Sequence, residues 1–169
     1  MGAGRDERAH VRAAQRGSAS GIVAIFRLHW PRAYRAAFLV VHDEAAAEDI
    51  AQEAFLAAVR NLDRFDRGRT FGPWLHRIVV NRAIDWTRAR QLRAETELQE
   101  SVAAPEREAE VGGGLLGALA ELPPEHRAVI VLRHLLEYTP GEIAALLGLP
   151  RGTVNSRLRR GLDSLQERV

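Results

Sequence analysis

Residues 139–165 read TPGEIAALLGLPRGTVNSRLRRGLDSL, and this stretch decides the fold of the chain's second half. Thr139 can cap a helix, Pro140 suits the first helical position, and Glu142 stands where a capping box needs its carboxylate. Ile143, Leu146 and Leu147 supply a buried face. Gly148 ends the helix, because glycine takes the left-handed conformation at little cost. Only Leu149-Pro150 separates this helix from the next one. Two short helices joined by a tight, glycine-containing turn are the arrangement that lays a second helix in the major groove of DNA. At about 100° per residue, Val154, Leu158, Leu162 and Leu165 cluster within about 80° and are expected to face the core. Gly152, Thr153, Ser156, Arg159, Arg160 and Asp163 lie opposite, with Asn155 at the margin. Arg and Asn read guanine and adenine edges, and Ser and Thr hydroxyls suit phosphates or either base. An ordinary amphipathic surface helix would show the same two faces; the capped preceding helix and the short turn favour the DNA reading.

Outward from this stretch, the chain has 169 residues, enough for one domain or two small ones. Hydrophobic residues make up 46% and charged residues 27%, as in ordinary folded proteins. There is no Cys, which removes disulfides, thiolate metal sites and a cysteine nucleophile, and fits a reducing compartment. No apolar run approaches the roughly 20 residues of a membrane span, so no membrane insertion is expected. Residues 1–7 lack the apolar core of a secretory signal, and the expected location is cytoplasmic. All 24 basic residues are Arg. They are segregated: residues 1–94 carry a net charge of +6, residues 95–121 carry −6, and residues 122–169 carry +2. A GC-rich genome accounts for Arg in place of Lys, but not for the separation by sign.

The fold class is all-α. Ala and Leu abound, strand-like alternation is absent, and Gly and Pro fall at plausible helix ends. The pattern predicts helices over residues 5–16, 20–41, 44–62, about 70–92, 115–122, 124–136, 140–147 and 151–167. Pro31 is expected to kink the second of these. Residues 94–111 are rich in Glu and Ala with almost no large apolar side chain, and Gly112-Gly113-Gly114 follows. That composition predicts an acidic flexible linker between two small helical domains, residues 1–93 and 112–169. The two domains are expected to be independent or loosely packed.

In the first domain, Asp49, Gln52, Glu53, Leu56 and Arg60 share one stripe of the third helix, opposite Ile50, Ala51, Ala54, Phe55 and Ala58. A solvated acidic face is one reading. Leu56 among the charges, within a basic domain, favours a second: docking to a basic partner protein. The fourth helix is apolar nearly all round in its first half, with Phe71, Trp74, Leu75, Ile78, Val79 and Val80. Its second half interleaves Trp86 with Arg82, Arg88, Arg90 and Arg93. Cations and an aromatic face together suit single-stranded DNA, though Trp86 could equally be core.

Three segments carry a resemblance. LPPEHR (122–127), Glu142-Ile143-Ala144 and LGLPRGTVNSR (147–157) are similar to region 4 of bacterial sigma factors, above all the extracytoplasmic-function (ECF) group. AEDIAQEAF (47–55) resembles sigma region 2.2, and FGPWLHRIVVNRAID (71–85) resembles region 2.3. The resemblance implies a subunit that binds core RNA polymerase, reads −35 and −10 promoter elements and helps open the DNA. It implies that Thr153, Asn155, Ser156, Arg157, Arg159 and Arg160 read the −35 element. Asn155 stands where many members carry Lys or Arg, so it can read adenine but adds no charge. The resemblance further implies that Asp49, Gln52, Glu53 and Leu56 dock on the β′ coiled coil. For the −10 element it implies Phe65 in the loop 65–70, Asn81, Arg82, Trp86, Arg88 and Arg90. The partners implied are core polymerase (β′ coiled coil and β flap), promoter DNA and an anti-sigma factor.

Nothing in the sequence calls for a cofactor, a metal or a catalytic role. The six His show no helical zinc-protease spacing, and His42-Asp43-Glu44 reads as a turn into a helix. Gly112-Gly113-Gly114 has no following Lys-Ser/Thr, and no Ser sits in a nucleophile elbow. A stand-alone regulator with a sensor domain is the competing class; it needs a ligand pocket or dimer seam, where this chain has an acidic stripe and an Arg/Trp helix. A scaffold with no DNA role leaves the charge segregation unexplained.

Overall fold

The structure, a computed structural model, describes residues 3–100 and 114–168, and among these there are helices and turns but no strand. The first half forms α1 (Ala3–Gln15), α2 (Ala19–Val41), α3 (Glu44–Arg60), a single 3-10 turn (Leu62–Arg64) and α4 (Phe71–Glu100). The second half forms α5 (Leu115–Ala120), α6 (Pro124–Ile130), a five-residue π turn (Val131–Leu135), α7 (Pro140–Leu147) and α8 (Arg151–Gln166).

Local signals set the boundaries. Ser18 and Asp43 cap α2 and α3 by accepting from Gly21 N and Ala46 N. His42 ends α2 in the left-handed region (φ 53°), so His42-Asp43-Glu44 is the turn into a helix that its sequence suggested. Thr139 and Glu142 form a complete capping box on α7, and Gly148 closes it at φ 65°. Glu7 of α1 accepts from Phe71 N at 3.1 Å, which places a carboxylate at the positive end of α4.

Helix α2 continues through Pro31. Four expectations need correction. The fourth helix continues to Glu100, beyond the predicted end near residue 92, so the first residues of the predicted linker are helical. Glu, Ala, Arg and Gln are good helix formers, and a sequence too polar to be buried can still extend a helix begun by a packed segment. Residues 101–113, which include the rest of the predicted linker, lie outside the described residues. The helix predicted over 124–136 changes after Ile130 into the π turn, where Leu136 N donates to Val131 O at 3.1 Å. Leu162, expected in the core, is 37% exposed, and Gly161 is buried in its place.

The fourth correction concerns the two halves, which pack together. Helix α2 lies centrally, against α1, α3 and α4 on its own side and against α5, α6 and the π turn of the other. Helix α4 also touches α6 and α7. The core follows the predicted apolar faces: Ile25, Ala33, Ala37 and Val40 of α2, Ile50, Ala54 and Phe55 of α3, and Phe71, Leu75, Val79, Val80 and Ala83 of α4. In the second half Leu119, Leu122, Val129, Leu132, Ile143, Val154, Leu158 and Leu165 are buried. No helix among the described residues is long and apolar enough to cross a membrane.

Candidate promoter and polymerase interfaces

Helix α8 presents the outward polar face that its sequence suggests. Val154 and Leu158 hold it to the core, and α6 approaches so closely that a Cβ on Gly161 would sit 2.7 Å from Ile130 Cδ1. Asn155, Arg159 and Arg160 are exposed; Thr153, Ser156 and Arg157 are half-buried. Burial, with the nearby charges of Arg157 and Arg160, holds the pKa of His126 on α6 below the ordinary value. Arg157 also helps stabilise the Glu125 carboxylate, so it stands at the α6 edge of the reading face.

On α3 the acidic stripe is fully on the surface. Asp49, Gln52, Glu53 and Leu56 are all exposed, Leu56 by 52%, while Ile50, Ala51, Ala54, Phe55 and Ala58 are buried. An apolar side chain that protrudes among carboxylates costs little in isolation, but it gives a partner something to cover.

The loop before α4 is built by α1. Gln15 Nε2 donates to Leu62 O (2.9 Å) and Phe65 O (3.1 Å), and Gln15 Oε1 accepts from Arg67 Nε (2.7 Å). Asp66 Oδ1 accepts from Gly68 N at 2.8 Å and shapes the turn. Phe65, 8% exposed, packs against Phe71 and Trp74, with ring centroids 5.8 Å and 4.9 Å away. It is therefore mainly a core residue that shows an edge to solvent. Beside it opens a cleft of about 730 Å³, lined on one side by Asn61, Arg64, Phe65, Arg69, Trp74 and Arg77, and on the other by Tyr138, Glu142, Ala145 and Leu146.

The structure does not bring the remaining residues expected at the −10 element into this cleft. Asn81 is exposed one turn beyond Arg77 and does not line it. Trp86 is half-buried against the core, with the Arg90 guanidinium 5.2 Å from the centre of its ring. Three of the arginines are engaged by acids: Arg82 with Glu53 at 2.7 Å, Arg90 with Asp43 at 3.1 Å, and Arg88 with Glu125 of α6. Pairs this exposed are worth little in stability, and a nucleic-acid phosphate can replace the carboxylate. Thr87, by contrast, is buried and bonds back to Ala83 O at 2.9 Å.

Sequence reading missed the residues that join the halves. Arg127 of α6 is only 4% exposed. Its Nη1 donates to Val40 O at the end of α2 and lies 3.3 Å from His42 Nδ1. Its Nη2 donates to Ala120 O (2.6 Å) and Leu122 O (2.8 Å). His76, 5% exposed, has its Nδ1 2.7 Å from the Tyr138 hydroxyl. Burial, with the neighbouring His29 ring and Arg32 guanidinium, pulls the His76 pKa down to about 4. Burial and Arg127 do the same for His42. The available signal was an Arg set directly before the apolar run 128–132 (AVIVL), on a helix with no other reason to bury a charge.

Two small helical units, one with a helix-turn-helix and a polar reading helix, define a DNA-binding transcription protein. Residues 25–93 match the family model for sigma-70 region 2, and residues 113–165 match that for sigma-70 region 4. The ECF RNA polymerase sigma factor SigE of Mycolicibacterium smegmatis is 37% identical over 153 residues, covering 85% of this chain and 59% of that protein. The chain thus spans rather more than half of SigE. Among solved structures, CnrH in complex with the cytosolic domain of CnrY aligns at TM-score 0.71 and 27% identity, over 95% of both chains. The sigma factor RpoE of Bartonella quintana, in complex with the anti-sigma factor NepR, aligns at TM-score 0.68 and 26% identity, over 84% of this chain and 92% of that one. The chain belongs to the sigma-70 family, in the ECF group, whose members direct RNA polymerase to promoters.

Proposed function

We propose that this chain docks on core RNA polymerase through Asp49, Gln52, Glu53 and Leu56, and reads promoter DNA at two places. In this reading α8 enters the major groove at the −35 element, with Arg159, Arg160 and Asn155 toward base edges and Thr153, Ser156 and Arg157 toward the backbone. The cleft beside the loop 65–70 takes a nucleotide of the opened −10 strand. Its base stacks near Trp74 and its phosphates are met by Arg64, Arg69 and Arg77, three cations around an aromatic floor. Asn81, Arg82, Trp86, Arg88 and Arg90 lie along α4 beyond the cleft and follow the adjoining strand and duplex. The two domains are residues 1–93 and 112–169, with the intervening acidic segment kept off DNA by its own charge.

The observation that carries the reading is the α3 stripe. A helix-turn-helix serves any DNA-binding regulator, but an exposed acid-and-Leu stripe on a basic domain fits a basic protein partner. The chain itself performs no catalysis; the polymerase makes RNA, in the cytoplasm, and this subunit supplies address and strand opening. The β flap is the second polymerase contact, made by residues 112–169. An anti-sigma factor completes the set of partners, as NepR does for the Bartonella protein.

The test is co-purification with core polymerase. Reversing Asp49 and Glu53 to Arg is expected to abolish binding with helix content unchanged in circular dichroism. Undiminished binding by the folded variant would overturn the docking assignment.

A further inference from the structure

The region 2 match begins at residue 25, so α1 lies outside it. The inward face of α1 is a single stripe: Glu7, Val11, Ala14 and Gln15 follow one another at helical spacing. Val11 and Ala14 are buried, and Glu7 and Gln15 stand half-buried at the two ends. Both polar ends serve one segment of the chain. Gln15 uses the donor and the acceptor side of its amide: Nε2 donates to Leu62 O and Phe65 O, and Oε1 accepts from Arg67 Nε. Glu7 Oε1 accepts from Phe71 N at the other end of the loop. Among the described residues, the other hydrogen bonds of this loop stay within its own turns, such as Phe65 N to Leu62 O, Gly68 N to Asp66 Oδ1 and Arg69 N to Asp66 O. Its hydrogen bonds to the rest of the fold thus all go to α1.

Gln15 also sorts the arginines of the loop. Arg64 and Arg69 line the cleft, and Arg67 does not. Arg67 turns toward α1, where it lines a small cavity with Val11 and Arg12. Arg64, Arg67 and Arg69 are all exposed and repel one another, so without a partner for Arg67 nothing local decides which of them faces the cleft. The bond to Phe65 O fixes the peptide plane after Phe65, and with it the direction in which residues 66–70 leave the aromatic floor of Phe65 and Trp74. Helix α1 can impose this because it is itself held hard against α2. At Gly21 the two helices are so close that a Cβ would lie 2.7 Å from Ala14 N, one residue before Gln15.

We propose that Gln15 is a positioning residue for strand capture: it holds the loop 65–70 in the direction that leaves Arg64 and Arg69 to the cleft and draws Arg67 away, and it thereby sets the cleft's preference among bases. A loop held in advance need not be ordered when the strand arrives, so its contacts can distinguish one base from another. The proposal rests on the reading of the cleft given above. It is tested in holoenzyme assembled from core polymerase and the full chain, with open-complex formation scored over a promoter library randomised at the −10 and −35 elements.

Gln15→Met keeps the length of the side chain and removes all three bonds. It is expected to lower discrimination at one position of the −10 element by about fivefold or more. Discrimination at −35 and affinity for core polymerase should stay within about twofold of the parent. A merely structural residue would lower all three together. Gln15→Glu keeps an acceptor for Arg67 but turns an oxygen toward Leu62 O and Phe65 O. An intermediate loss is expected from it, and it carries the test if Gln15→Met does not fold. Unchanged −10 preference in a folded, polymerase-binding variant would overturn the proposal, as would equal losses at −10 and −35. Arg77→Ala keeps the two readings apart, because Arg77 lines the cleft and makes none of the loop's bonds to α1. If Arg77→Ala weakens opening while Gln15→Met leaves the −10 preference unchanged, the positioning role alone has failed. If Arg77→Ala has no effect on opening, the cleft reading has failed and the proposal with it.

Discussion

Acidification should loosen this fold through His76, and the size of the effect follows from its surroundings. The ring is enclosed by α2, α4 and the segment after the π turn. It faces the Tyr138 hydroxyl at 2.7 Å, the His29 ring at a centroid distance of 6.5 Å, and the positive field of Arg32; Glu7 reaches this group through its contact with His29. No carboxylate bonds to His76 itself, and its Nε2 is buried without a partner. Burial, with His29 and Arg32 beside it, therefore lowers its pKa from 6.5 to about 4. Because the folded pKa lies below the unfolded one, the unfolded chain takes up the proton first. Stability is complete above pH 6.5 and falls as the pH drops toward 4. At pH 5 an unfolded imidazole is almost wholly protonated and His76 only about one-tenth so, a difference of about 2 kcal/mol. Urea unfolding at pH 7.5 and pH 5 reads this directly. The parent is expected to lose about 2 kcal/mol more than His76→Gln, which keeps an amide for Tyr138 and cannot titrate. His42 is also lowered, but it is common to both proteins and cancels in the comparison. Equal losses in parent and variant would refute the reasoning.

Arg160→Ala is expected to weaken −35 recognition by about 1–3 kcal/mol, measured as promoter discrimination in transcription with core polymerase. Leu158→Ala should instead destabilise the second domain by about 2–5 kcal/mol in thermal unfolding, because its side chain is buried behind the reading face. Gly21→Ala should cost about 1–3 kcal/mol: a Cβ there would lie 2.7 Å from Ala14 N and 2.9 Å from His10 O, backbone atoms of α1 that cannot turn aside. Gly161→Ala is the control, since its new Cβ meets the movable tip of Ile130; its melting temperature should fall by clearly less.

Periodicity and punctuation alone were enough for most of the helices. The capping box at Thr139 and Glu142, the left-handed Gly148 and the Asp43 cap are formed by residues within a few positions of one another, so they are legible without a fold. The same is true of the α3 stripe and of the outward face of α8, which follow from helical geometry once the apolar side is known. What failed locally failed where local rules compete. The polar continuation of α4 has helix-forming residues but nothing to bury, and composition could not separate a helix from a linker. Leu162 and Gly161 are adjacent on α8, and only the closeness of α6 decides that the glycine goes in and the leucine stays out.

The relation of the two halves was decided by tertiary structure alone. Arg127 and His76 come from helices, and Tyr138 from the segment before α7, whose own sequence assigns them no partner; their contacts span 87, 85 and 62 positions. A buried guanidinium is unfavourable until carbonyls from both domains surround it, so its role exists only in the assembled fold. The cleft has the same origin. Its loop is pinned by Gln15 some 50 residues away, and its far wall is supplied by a helix of the other domain. Sequence fixes which faces are apolar, because that depends on neighbours three and four residues away; which face meets which depends on shape complementarity between elements distant in the chain, and only the packed structure expresses it.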